Sequence, residues 1–169
     1  MVLGPQEDGG TLWRRAWVNA LDQLHHYGSA PFRLVQNHGT GMIIQGTREW
    51  ADYRVSAELA PQLAAGFGLA ARVQGLARYY ALMLGADGRA WLVKALDGER
   101  VLAERAYAWE LEHDYALELR VEGARVQALV GGELLFDIVD GDRPLLGGAV
   151  GLICQEGNVL GGPVTVAPL

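Results

Sequence analysis

The sequence predicts an all-β fold, a two-sheet antiparallel β-sandwich, and three observations carry that expectation. From Trp50 onward, apolar residues fall at every second position of short segments. Glycine-bearing turns cut those segments at intervals of about ten residues, the rhythm of a sandwich rather than of alternating strands and helices. No convincing helical stripe follows Leu24. In residues 50–61, Tyr53, Val55, Ala57 and Leu59 share one face while Asp52, Arg54, Ser56 and Glu58 share the other, as in a strand with one dry and one wet side.

The elements follow in order. Residues 1–10 are rich in glycine and acid and read as a flexible lead-in. Residues 11–30 read as a helical or irregular segment, since Trp13, Trp17, Ala20, Leu21 and Leu24 fit a helical stripe while residues 12–18 also fit an irregular strand. Strands are expected at 32–36 and 41–46 with a glycine turn between them. Further strands are expected at 51–60, 66–74, 78–84, 90–96, 101–106, 115–122, 125–130, 133–138, 149–155 and 164–167. Asp87-Gly88, Asp97-Gly98, Glu122-Gly123 and Gly131-Gly132 each put glycine where a tight hairpin needs positive φ. Residues 11–169 therefore form one domain, long enough to bury a core.

Composition narrows the function. The 169 residues are 50% hydrophobic and 20% charged with a net charge of -6, so the basic face that nucleic acid requires is not expected. No apolar run approaches the ~20 residues of a membrane span, and no signal pattern opens the chain, so a soluble, cytoplasmic, bacterial-type protein is expected. The single cysteine, Cys154, has the parity of a core residue.

Several segments recur together in order: residues 49–55 (EWADYRV), 68–75 (GLAARVQG), 78–82 (RYYAL), 92–98 (LVKALDG) and 148–152 (GAVGL). This set resembles the concanavalin A-like jelly roll, in the branch of laminin-G-like domains and sugar-binding modules, over residues 32–169. More narrowly, residues 14–20 (RRAWVNA), 32–37 (FRLVQN) and 46–50 (GTREW) resemble the region after the catalytic domain of some bacterial ADP-ribosylglycohydrolases. The helical, magnesium-binding catalytic part of those enzymes has no counterpart in these residues. The resemblance implies a sugar-binding accessory module and transfers no catalytic residue.

Domains of this class commonly bind sugars on the concave face of one sheet. If Tyr80, Leu82 and Leu84 are buried, Tyr79, Ala81 and Met83 join the outer face, where small Ala70 and Ala81 leave a shallow depression. Arg72 and Gln74 on one strand, Tyr79 on the next and Lys94 beyond it, with Arg54 and Glu58, are the candidate ligand-binding residues. An aromatic ring covers the apolar side of a sugar while guanidinium and carboxamide groups satisfy its hydroxyls. The competing reading is a solvated face with cross-strand ion pairs.

Asp137, Asp140 and Asp142 surround a glycine turn and are the candidate ligands of a structural calcium, although ordinary turn chemistry explains them more simply. His25, His26, His38 and His113 lack zinc spacing. Glu110 and Glu112 come nearest to the paired acids of a jelly-roll glycoside hydrolase, but in a polar loop where nothing raises one pKa. The expected function is thus non-catalytic binding of a carbohydrate or sugar nucleotide with no required cofactor. The alternatives are a structural or protein-interaction sandwich, including a homo-oligomer, and a jelly-roll glycoside hydrolase.

Overall fold

Alternating apolar residues need a dry layer on one side only, and two sheets facing each other supply it. The computed structural model describes residues 1–3, 17–27 and 30–169, and their regular elements are all strands. In chain order these are β1 (Val2–Leu3), β2 (Val18–Ala20), β3 (Gln23–Tyr27), β4 (Ala30–Gln45), β5 (Tyr53–Gly75), β6 (Arg78–Gly85), β7 (Arg89–Ala95), β8 (Glu99–Ala106), β9 (Tyr115–Glu122), β10 (Arg125–Val130), β11 (Glu133–Val139), β12 (Ala149–Gly161) and β13 (Val164–Pro168). Every pairing is antiparallel. Gly88, Gly123, Gly131 and Gly132 take positive φ at the expected hairpins.

Three long strands belong to both layers. The first part of β5 pairs with β9 and β13, and its later part, from Gly66, pairs with β6. Strand β12 follows the same course, with Ala149–Gln155 beside the later part of β5 and Gly157–Gly161 beside its earlier part. The strands expected separately at 32–36 and 41–46 are one strand, β4, and those at 51–60 and 66–74 are one strand, β5. Glycine and proline inside them mark bends rather than ends. At the bend of β12, Gly157 has φ +143, and a Cβ there would overlap the backbone of Leu63 and Ala64.

One layer therefore runs β11-β10-β9-β5-β12-β4-β3, with β13 along β5 and β1 along β13. The other runs β8-β7-β6-β5-β12-β4-β2. Between them lies one core cluster, to which Val55, Leu59, Leu117 and Leu119 come from the first layer and Leu69, Leu82 and Leu92 from the second. Each such fully buried side chain contributes about 1.5–3 kcal/mol by leaving water. Cys154 is buried in this cluster, and burial pushes its thiol up to about 12. The helical alternative for residues 11–30 is overturned where it can be seen, because Val18–Ala20 and Gln23–Tyr27 pair with β4 as strands. Within the expected lead-in, Val2 and Leu3 pair with β13; residues 4–16, 28 and 29 lie outside the described residues.

The irregular link between β11 and β12 enters the interior, where Leu145 is buried. Its backbone groups have no strand to pair with, and buried peptide groups must find partners. Side chains of the second layer provide them. The Tyr80 hydroxyl accepts from the Leu145 amide at 3.0 Å and donates to Asp140 Oδ2 at 2.6 Å. The Lys94 ammonium donates to Asp140 Oδ2 and to the carbonyls of Asp142 and Arg143. Arg72 donates to the carbonyls of Leu145, Gly123 and Ala51 and to Asp52 Oδ1, so a single guanidinium joins three connections. The Lys94 and Asp140 side chains are only 4% and 1% exposed. Burial opposes the Asp140 charge, but hydrogen bonds from Lys94, Tyr80 and the Asp142 amide outweigh it and hold the pKa below the usual carboxylate value.

Lys94→Met is expected to lower stability at pH 7 by about 3–5 kcal/mol in a urea titration, because it strands a buried carboxylate. The wild-type contribution of Asp140 is complete above the ordinary carboxylate pKa of about 3.9 and drains only as pH falls through the lowered one. In the variant, burial unopposed by the ammonium raises that pKa, so protonation relieves the strain and the loss shrinks toward pH 4. A loss independent of pH between 8 and 4 would refute the charge explanation. Arg72→Lys is expected to lose about 1–3 kcal/mol, since one ammonium cannot reach carbonyls on three connections. A thermal melt equal to wild type would show that the fork geometry is dispensable.

Candidate functional site

The outward face of the second layer carries a second, smaller cluster of buried apolar residues. Cross-strand register aligns Met42, Ile153, Gly68, Met83 and Trp91 in one row. The adjacent row holds Ile44, Gly151, Ala70, Ala81, Val93 and Val101. Glycine and alanine at the centre and larger side chains beside them leave a trough of about 200 Å³. Trp91, Met83, Val93 and Val101 line it with Tyr79 and Ala81, and Thr40, Gln155 and Glu99 supply polar groups. Of the residues expected around a depression, Tyr79, Ala81 and Met83 line the trough, whereas Ala70 lies on the same face but is fully buried outside the lining.

Trp91 owes its pose to Gly85, where a Cβ would overlap the indole ring. Gly66 likewise gives room to Gln155, whose Oε1 lies where a Cβ would come within 2.7 Å. Trp91 is half-buried, leaving part of the ring open. The Tyr79 hydroxyl donates to Glu99 Oε1 at 2.9 Å, which fixes the carboxylate at the end of the trough. Burial first, then the hydrogen bond to Glu99 and its charge, raise the Tyr79 pKa, so the hydroxyl remains a donor. Beside Trp91 on the same face, Arg89 and Glu104 pair at 2.7 Å.

Of the six residues expected to bind ligand, only Tyr79 lines the trough. Arg72 is fully buried instead of outward-facing. The pairing of β5 with β6 slips between Ala71 and Gly75, and Arg72 takes φ +51 there, which breaks the alternation and turns the side chain inward. Lys94 follows alternation faithfully, opposite in phase to Trp91 and Val93, but that phase is the core side, where Asp140 neutralises it. Gln74 donates to the Gly147 carbonyl at 2.8 Å and serves the link. Arg54 and Glu58 are exposed on the outer face of the first layer, across the sandwich from Tyr79.

The three aspartates do not assemble as calcium ligands either. Asp137 is held by Arg125 at 2.8 and 2.6 Å, and the Arg125 and Gln127 hydrogen bonds pull its pKa down to about 2. Asp140 and Asp142 come together around the Lys94 ammonium, which meets the carboxylate and carbonyl oxygens that a hard cation would otherwise take. No group of three metal-ligating side chains occurs among the described residues. Sequence reasoning missed Trp91 and Glu99. Trp91 shares the parity of Val93 and Met83 shares that of Tyr79, so the outer face was readable once both strands were phased together.

The same architecture recurs among solved structures. Carbohydrate-binding module CBM66 from Bacillus subtilis superposes with a TM-score of 0.79 at 16% identity, over 89% of this chain and 94% of that one. A Bacillus subtilis protein of unknown function with a galectin-like fold gives 0.70 at 14% identity, over 94% and 92% of the two chains. The GH43 protein BlXynB from Bacillus licheniformis gives 0.66 at 12% identity, over 91% of this chain and 37% of that longer one. No protein-family model and no curated protein matches the sequence. At these identities the likeness establishes the fold, a jelly-roll β-sandwich.

Proposed function

We propose that the chain is a non-catalytic carbohydrate-binding module that holds a saccharide in the trough of the second layer. The observation that carries this reading is the half-open Trp91 ring, laid over Gly85 beside the polar groups of Glu99, Gln155 and Thr40. A sugar ring presents an apolar C–H face and an equatorial belt of hydroxyls, and this pairing of an indole plane with oxygen and amide acceptors suits both. The trough is smaller than the ~300 Å³ from which drug-sized ligand sites usually begin. It suits one sugar ring with the rest of a glycan extending into solvent. CBM66, described as a carbohydrate-binding module, shares the fold and supports the reading. BlXynB, in which the matching region is about a third of a longer chain, supports an accessory role beside a glycoside-processing domain.

The finer reading, service to an ADP-ribosylglycohydrolase with ADP-ribose as ligand, fits the trough less well. A pyrophosphate calls for cations or a cluster of amides, and no lysine, arginine or histidine is among the described residues that line the trough. Glu110 and Glu112 do not line it, so the reading assigns no catalytic pair.

A glycan array that includes ADP-ribose tests the proposal. Neutral saccharides are expected to bind, and Trp91→Ala is expected to weaken them by at least ~10-fold with the fold retained by circular dichroism. Arg54→Ala and Glu58→Ala, on the far face, are expected to bind as wild type does. A wild-type protein silent on every glycan, or full binding by Trp91→Ala, would overturn the assignment.

A further inference from the structure

The sign of charge around the trough is lopsided, and its source is visible. Lys94 of β7 and Arg72 in the later part of β5 both point inward and are neutralised there. Arg89, on the outer face, is paired with Glu104. Among the described residues that line the trough, Glu99 alone carries a formal charge, and it forms no ion pair with a described residue. Its Oε1 accepts from Tyr79, which holds the carboxylate in place and leaves Oε2 for a ligand donor.

On its other side, Glu99 borders a second cavity of about 240 Å³ lined by Lys94, which Asp140 neutralises, and by Arg100 and Arg143. Neither arginine offers an unmatched charge. Arg100 lies 3.2 Å from Asp142 and 3.6 Å from Asp140, and Arg143 lies 2.8 Å from Asp97. Among the described residues that line the two cavities, an anionic group therefore meets the Glu99 carboxylate and only cations already paired with Asp97, Asp140 or Asp142. A hydroxyl pair meets a well-placed acceptor. Charged acceptors form the stronger hydrogen bonds, and like charges brought together at a binding surface are rejected.

Resting on the saccharide reading above, we propose that Glu99 is the specificity-determining residue of the trough. It accepts hydrogen bonds from hydroxyls of a neutral sugar and excludes phosphorylated, sulfated and uronic sugars by charge. Tyr79 is the positioning residue that orients the carboxylate.

The test uses the methyl glycosides of glucose, galactose, mannose and fructose. Each is compared with its 6-phosphate and with its 6-O-methyl ether, the ether serving as a neutral control for size, by saturation-transfer NMR and competition titration. For whichever sugar binds, wild type is expected to prefer the neutral form over the phosphate by at least ~10-fold and to tolerate the ether. Glu99→Gln keeps the side chain's shape and is expected to bring the neutral and phosphorylated forms within about threefold of one another. Tyr79→Phe keeps the charge but frees the carboxylate, so it is expected to weaken the neutral form while the preference over phosphate persists. Equal wild-type binding of phosphate and parent sugar, or a preference unchanged in Glu99→Gln, would overturn the inference while leaving the saccharide reading standing. Silence on all four neutral glycosides, together with silence on the glycan array, would overturn both.

Discussion

The link between β11 and β12 is the constraint on which the rest of this structure depends. It buries Asp140, Leu145 and Gly148 without strand pairing; backbone carbonyls of Ala124 and Trp50 accept from the Asp140 and Gly148 amides, and side chains satisfy the Leu145 amide and the carbonyls of Asp142, Arg143 and Leu145. Arg72, Tyr80 and Lys94 do this from three neighbouring strands of one layer, and Asp140 supplies the countercharge. A buried ion pair adds little net stability compared with apolar packing, yet removing one member is costly. The arrangement therefore fixes where the link goes more than it adds to overall stability. Gly148 completes it, since a Cβ there would collide with the Arg72 backbone, which in turn donates its amide to the Tyr53 hydroxyl at 2.6 Å.

The inward recruitment of cations also shapes the opposite face. A strand has two sides, and a cation spent on the interior is missing from the exterior. Strand β7 shows this in consecutive residues: Lys94 faces the link, while Val93 and Ala95, on the opposite side, are buried in the second apolar cluster with Trp91 packed against it. Strand β5 does the same by a bulge, which turns Arg72 inward and leaves Gly68 and Ala70 as the outward floor. The trough is thus aromatic, apolar and acid-tipped for the same physical reason that the link is held.

Sequence patterning exposed most of this architecture and less of the chemistry. Alternation along Tyr53, Val55, Ala57 and Leu59 and along Tyr80, Leu82 and Leu84 identified the core sides, because hydration enforces period two wherever one face is dry. Where a strand bends between layers, glycine looks the same as a turn, so β4 and β5 read as pairs of shorter strands. Arg72 was invisible as a buried residue because a bulge has no signature in residue type. Lys94 was legible in part: its phase opposes that of Trp91 and Val93, but apolar residues fill both phases of this strand, so alternation alone did not say which side is the core. The available counter-signal was an acid close in space, Asp140, which the linear sequence separates from Lys94 by the whole of β8 to β11.

The remaining alternative, a sandwich that serves mainly to associate with another chain, depends on what its edges present. An edge strand offers unpaired amides and carbonyls, and edge-to-edge addition is the cheapest route to self-association. Strand β8 is the edge beside the trough, and Glu99, Arg100, Glu104 and Arg105 occupy half of its eight positions. Three of them are tied to neighbouring strands or the link, Arg100 to Asp142, Glu104 to Arg89 and Arg105 to Glu133. A second copy pairing along this edge would bury those charges or pull them from their partners. The apolar floor nearby would favour association, but pairing along β8 works against it. The single sugar ring proposed above would enter the trough without covering that strand.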